Sequence, residues 1–243
     1  MRTLHIVMPM AGEGSRFLKD GWLTPKPLIL LSGKPLFQHA ISSVEDKEIA
    51  LKYSFIVRQE HIDNFHIDER INSLLPNANV FSVKKTTRGA VETCLKAESA
   101  IEDNDGVIVM DCDLEFRSTR FLQIVKSILR KPIEEVDGGA LVSFVSNLPR
   151  YSYAEVDEKG MVVRTAEKEV ISNHALCGAY FFSSGRRFKQ IAHQLLNESE
   201  FKKPEYYVSL LYNYMLQEGE RVYLATLDEY YSYGTPEELS KYL

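Results

Sequence analysis

The sequence predicts an α/β fold, a mostly parallel central sheet wrapped by helices, and three observations predict it. Short apolar runs alternate with amphipathic stretches through the first half, in βαβα order. The runs 4–8 and 107–110 are apolar throughout, as strands buried on both faces are. The chain has 243 residues, 44% of them hydrophobic and 26% charged, which is ordinary for a soluble globular protein and ample for one core.

Residues 4–8 form the first strand. Pro35 opens a short helix over 37–44, and 53–57 is the second strand. Residues 61–75 are mostly helical and stop before Pro76. The third strand is 80–83. A helix over 89–101 places Val91, Cys94, Leu95 and Ile101 on one face. Strand 107–110 precedes a helix in which Phe121, Leu122, Val125, Ile128 and Leu129 recur with a 3.6-residue period.

The second half is less regular. Residues 140–145 are an apolar strand. Segments 153–156 and 161–165 flank Asp157-Glu158-Lys159-Gly160, a hairpin in which Gly160 supplies the positive φ. A strand at 179–182 leads to a helix over 185–196. A helix over 204–216 carries Tyr207, Val208, Leu211, Tyr214 and Met215 on one face. Residues 221–225 are the last strand. Thr235 caps a terminal helix over 236–242, with Pro236 in its first position.

Charge and composition exclude several function classes. The net charge is −5, from 29 basic and 34 acidic residues, and no basic run offers itself to nucleic acid. No stretch approaches the roughly 20 apolar residues of a membrane helix. The opening apolar run is too short for a signal peptide. Cys94, Cys112 and Cys177 show no CxxC spacing, so free thiols in a reducing cytoplasm are expected and no zinc site. The six histidines form no ligand spacing.

The most informative segment is Pro9-Met10-Ala11-Gly12-Glu13-Gly14-Ser15-Arg16-Phe17, followed by Thr24-Pro25-Lys26-Pro27. A small-residue loop leaving a buried strand exposes backbone N–H groups, and Arg16 and Lys26 add fixed positive charge. That combination suits a nucleoside triphosphate. Phe17 stands where the dinucleotide fingerprint runs on towards its third glycine. Gly33-Lys34 precedes Pro35 rather than Ser or Thr, which excludes a Walker loop. A plain glycine-rich turn would need neither cation.

Asp111-Cys112-Asp113 closes a buried strand. Period two puts both carboxylates on one face, at the strand end where open α/β sheets bind ligands. Magnesium takes one or two carboxylates with substrate phosphates and water, so the pair suits a magnesium-bound triphosphate.

These residues resemble the signature of the sugar-phosphate nucleotidylyltransferases, and the wording of residues 8–17 is similar to a branch of capsule and surface-polysaccharide biosynthesis. The resemblance continues through Gly33-Lys34-Pro35-Leu36, Glu167-Lys168, 178–182 and 234–239. It implies one GT-A-like nucleotidyltransferase domain over 1–243. A Rossmann-like nucleotide half covers about 1–135 and a mixed acceptor half about 136–243. It also implies attack by a phosphomonoester on the α-phosphorus of an NTP, with release of pyrophosphate. CTP, UTP or dTTP are favoured over purines. The expected partners are the NTP, a small phosphorylated acceptor and Mg2+, with a homodimer left open.

By the same resemblance, Arg16 and Lys26 are catalytic. Ala11, Gly12, Gly14, Ser15, Gly89 and Ala90 hold the nucleotide. Asp113 matches the usual metal-ligand position, with Asp111 as a second ligand or a neighbour of the acceptor. Lys168, Glu167, Asn173, Gly178, Glu205 and Tyr207 fall at acceptor-contact positions. One position departs from the pattern: Ser232 stands where many relatives have a metal-binding Asp, and Asp228 or Glu229 are the nearest substitutes. A metal-dependent glycosyltransferase working through Asp111-x-Asp113 is the alternative, but it has no need of Arg16 and Lys26 beside an α-phosphate. A non-catalytic module on the same fold would not need all four residues.

Overall fold

The computed structural model describes residues 1–136, 138–199, 201 and 203–243. Among them, nine strands form one large sheet. Leu4–Met10 lies between Leu51–Arg58 and Gly106–Met110, and Asn79–Val83 extends the sheet beyond Leu51–Arg58, all in parallel. This is the predicted parallel half. Its central strand is buried along nearly all its length because its residues are almost all apolar.

The other half hangs on the long strand His174–Phe182. One side of it runs antiparallel to Gly106–Met110 and meets the hairpin strand Ser152–Val156 at Ala175. Its other side runs antiparallel to Gly139–Val145, which pairs in parallel with Val222–Thr226. The hairpin of Ser152–Val156 and Val162–Glu167 forms as the turn residues predict, with Gly160 at φ 76°. Helices pack on both faces over two apolar clusters, one centred on Phe37, Phe55 and Phe121 and the other on Phe182, Phe188 and Tyr212.

A third, smaller cluster matters for the site. Phe17, Ile29, Leu31 and Leu36 pack with Tyr233 and Leu239. The beginning and end of the chain therefore share a core directly behind the glycine loop. A two-stranded ribbon that the sequence pattern does not announce reinforces this: Glu229–Ser232 pairs antiparallel with Leu114–Arg117.

Several predicted helices change form. The 61–75 helix is two, Gln59–Phe65 and Ile67–Leu74, broken where His66 turns left-handed at φ 50°. The 89–101 helix is α-helical only over Ala90–Cys94 and tightens to a 3-10 form from Leu95. The 204–216 helix is corrected most: Leu211–Gln217 is helical, and Tyr207 is extended. The predicted 185–196 helix is seen as Gly185–Leu196. Thr235 caps the terminal helix by accepting from Glu238 N, but that helix ends at Leu239.

Candidate active site

The site opens where the carboxyl ends of Leu4–Met10 and Gly106–Met110 part. Their pairing stops at Val7 and Val109, two residues before Pro9, which has no N–H to offer a ladder. Leu4–Met10 continues to its other neighbour as far as Met10. Such a switch in the direction of strand order leaves a crevice, and the glycine loop and the Asp111–Asp113 segment leave the sheet into it. Gly14 is left-handed at φ 63°, which turns the chain directly into the helix Ser15–Lys19. Phe17 anchors that helix in the small core, so Arg16 stays exposed beside the crevice.

Two adjoining cavities fill the crevice. The larger, about 520 Å³, is walled by Gly12, Gly14, Ser15, Arg16 and Lys26 on one side and by Asp111, Asp113, Lys168 and Glu205 on the other. The second, about 290 Å³, shares Arg16, Asp111 and Asp113 with it. It continues past Ala90 and Gly178 to Glu167, Tyr180 and Tyr207. Most residues singled out from the sequence therefore meet in one place. Ala11 is buried and reaches neither cavity. Gly89 lies behind the wall. Asn173 is exposed at the start of its strand, with its carbonyl bonded to Ser146 N and no share in either cavity.

Lys26 Nζ donates to Asp113 Oδ2 at 2.6 Å. Burial works to lower the lysine pKa, but Asp113, Cys112 and Asp111 outweigh it, and the net shift is upward. Lys26 is therefore a firmly protonated cation. Solvent reaches Asp111 from the crevice while protein surrounds it on the other sides. Desolvation first, then the nearby Asp113 charge, raises its pKa to about 7. The Arg16 side chain forms no hydrogen bond or ion pair among the described residues.

Two glycines owe their presence to close approach. A Cβ on Gly178 would sit 2.4 Å from Asp111 Oδ2, and Gly178 O accepts from Asp111 N at 2.9 Å. Gly178 is also at φ 97°. A Cβ on Gly89 would meet Tyr206 N at 2.4 Å. There Tyr206 N donates to Arg88 O and Tyr206 O accepts from Val91 N, at 2.9 and 3.1 Å. Segment 203–207 is thus strapped to the 88–91 loop, which explains why it is not helical.

Glu167 is 7% exposed, and its Oε2 accepts from both Ser152 Oγ and Ser209 Oγ. Lys168 Nζ donates to Tyr207 Oη at 2.8 Å, above the Tyr207 ring.

The candidate substitutes for the missing Asp lie elsewhere. Asp228 Oδ2 accepts from Thr119 N and Oγ1, and Glu229 pairs with Arg117. Glu238 is the carboxylate at the site. Its Oε2 accepts from Ser232 Oγ at 2.9 Å, and its Oε1 from Arg150 at 2.6 Å. A Cβ on Gly234 would lie 3.3 Å from both Asp113 Oδ2 and Glu238 Oε2, so bare glycine keeps a gap between the two carboxylates. Sequence reading missed Glu238, Arg150 and Ser209. Glu238 lies in the 234–239 stretch of the resemblance, but it meets Arg150 only through the 229–232 ribbon and the terminal cap, and no local pattern marks Arg150. Among the described residues no three His, Cys, Asp or Glu side chains converge as a closed metal-ligand set.

The family model described as Nucleotidyl transferase matches residues 6–241. The bifunctional protein GlmU of Legionella pneumophila strain Philadelphia 1 is 28% identical over 171 residues, 70% of this chain and 33% of that protein. The chain thus spans about a third of the length of the curated relatives it matches. Among solved structures, a nucleoside-diphosphate-sugar pyrophosphorylase from Vibrio cholerae RC9 superposes with TM-score 0.81. It is 25% identical, with 98% of this chain and 99% of that one covered. An inositol-1-phosphate CTP transferase from T. maritima superposes with TM-score 0.72 at 17% identity, covering 98% and 91%, and shares the fold.

Proposed function

The chain belongs to the nucleotidyl transferase family, and on that premise we propose that it couples an NTP to a phosphorylated sugar, polyol or similar small phosphomonoester. Pyrophosphate is released, the nucleotide is a pyrimidine (CTP, UTP or dTTP), and the product serves capsule or surface-polysaccharide synthesis. The observation that carries the reading is the Lys26–Asp113 contact at 2.6 Å. It joins the cation beside the glycine loop to the acidic strand end, with Arg16 unpaired on the same cavity.

The reaction needs no side-chain nucleophile. A phosphomonoester is already largely ionised at neutral pH, with a second pKa near ~6, so the site has to supply alignment and charge neutralisation. The N–H groups of residues 12–15 cradle the triphosphate and Arg16 holds its outer phosphates. Lys26 turns from Asp113 to the α-phosphate. Ala90 presents backbone atoms to the base, with Gly89 behind it. Lys168 takes the acceptor's phosphate, and Glu167, Gly178, Glu205 and Tyr207 line the way to its far end.

Magnesium fits the donor set. Asp113 and Asp111 are hard oxygen ligands on one cavity, and the gap kept by Gly234 lies beside Asp113. Asp113 and Asp111 would hold the ion, which when bound offsets phosphate charge.

The test is a pyrophosphate-release screen of five NTPs against sugar, polyol and amino-alcohol phosphates. Release with a pyrimidine NTP, abolished when the NDP replaces it, is the expected result. Sugar transfer from an NDP-sugar without pyrophosphate chemistry would overturn the proposal.

A further inference from the structure

We propose that the acceptor carries a protonated amine at the end remote from its phosphate, and that Glu167 is the group that receives it. This rests on the transferase reading above and narrows its acceptor.

Glu167 lies on the wall of the 290 Å³ cavity and is more than nine-tenths buried. Among the described residues it forms no ion pair. Its two hydrogen bonds come from Ser152 and Ser209, both neutral, and both go to Oε2. Oε1 has no partner and is not among the buried unsatisfied atoms, so it remains open to a ligand. Buried carboxylates are normally matched by a cation, because hydroxyl donors do not cancel the charge.

The protein's nearby cations are engaged. Lys168, next in sequence, feels the Glu167 charge, but its Nζ points at the Tyr207 hydroxyl and makes no ion pair with Glu167. Arg150 is bound to Glu238 and to the Tyr151 hydroxyl, at 2.6 and 2.5 Å, and stacks on the Tyr151 ring. Arg16 stands at the mouth and also walls the larger cavity. Around Glu167 the cavity presents Tyr151, Tyr180 and Tyr207. Aromatic rings attract ammonium groups and have no comparable preference for a neutral hydroxyl. A buried carboxylate with no ion-pair partner among the described residues, set among tyrosines, matches the primary amine of an amino sugar or amino-alcohol phosphate.

The test uses matched phosphates that differ only in the amine: 2-aminoethyl against 2-hydroxyethyl phosphate, and 6-amino-6-deoxyglucose 1-phosphate against glucose 1-phosphate. With the NTP that supports pyrophosphate release, the amine of at least one pair should be favoured by about tenfold or more in kcat/KM, as for one charged hydrogen bond. Glu167→Gln keeps the side-chain shape and an acceptor for both serines, and should erase that preference. Equal or better use of the hydroxyl compound in both pairs overturns the proposal, as does a preference that survives Glu167→Gln. If no NTP yields pyrophosphate, the transferase reading fails by itself. Calorimetric affinities for the same pairs then decide the amine site: tighter amine binding supports it and equal affinities refute it.

Discussion

Gly178→Ala should disable Asp111 without altering it. The new methyl would lie 2.4 Å from Oδ2 and 3.1 Å from Cγ of Asp111, where ordinary contact begins at 3.4 Å. The overlap is about 1 Å, and backbone does not absorb it, because Asp111 N is tied to Gly178 O at 2.9 Å. The Asp111 carboxylate must therefore swing away. A displacement of ~1 Å at a reacting centre costs roughly a hundredfold in rate. The φ of 97° adds backbone strain of about 1–3 kcal/mol for a residue with a Cβ. For a chain of this size about 2 kcal/mol lowers Tm by roughly 4–8 °C. Thermal melting and kcat/KM measure the two effects separately. In an Asp111→Ala background the clash with the carboxylate is gone and a 3.1 Å contact with Leu114 Cδ2 remains, so Gly178→Ala should cost no further activity, only the strain and that contact. Wild-type kcat/KM in the single variant, or an undiminished second loss in the double, would refute the reasoning.

Lys26→Ala and Arg16→Ala should each lower kcat by roughly a hundredfold or more with the fold retained by circular dichroism; near-wild-type turnover would remove them from the site. Asp113→Asn keeps the volume and loses the charge, so activity should need much more magnesium; an unchanged magnesium titration would place the metal elsewhere. His5 supplies a pH test. Burial first, then the Lys52 charge, lowers its pKa from 6.5 to about 4. The unfolded chain takes a proton near 6.5 and the folded chain waits until about 4, so stability is lost as pH falls through that window. The loss is about 3 kcal/mol. Melting curves from pH 7 to 4 should show it, and His5→Gln should flatten that part of the slope; an equal slope in the variant would assign the acid sensitivity to other groups.

Much of the fold was legible because its determinants are local. Apolar runs gave the parallel strands, Gly160 gave the hairpin, and Thr235 before Pro236 gave the start of the terminal helix. What escaped was set by partners distant in sequence. Tyr207 sits on an apolar periodicity that reads as helix, yet the backbone of Tyr206 is taken by Arg88 and Val91. His66 breaks a helix with a left-handed turn that its residue type does not announce. The cleft residues near Gly12, Lys26 and Asp111 were readable because their motifs are contiguous. Glu238 was not, because it reaches Ser232 through the terminal helix and the ribbon that pairs Ser232 with Leu114. Asp228 looked available in one dimension and is spent on capping Thr119 in three.

The strap at Tyr206 sets a rule for anyone redesigning this enzyme. The stretch carrying Glu205 and Tyr207 and the stretch carrying Gly89 and Ala90 are hydrogen-bonded into one object, with no room between them for even a methyl group. On the roles proposed above, a loop graft that exchanges 203–207 to change the acceptor also removes the support of 88–91, and should alter the grip on the nucleotide. The two segments are a single cassette and have to be transplanted together.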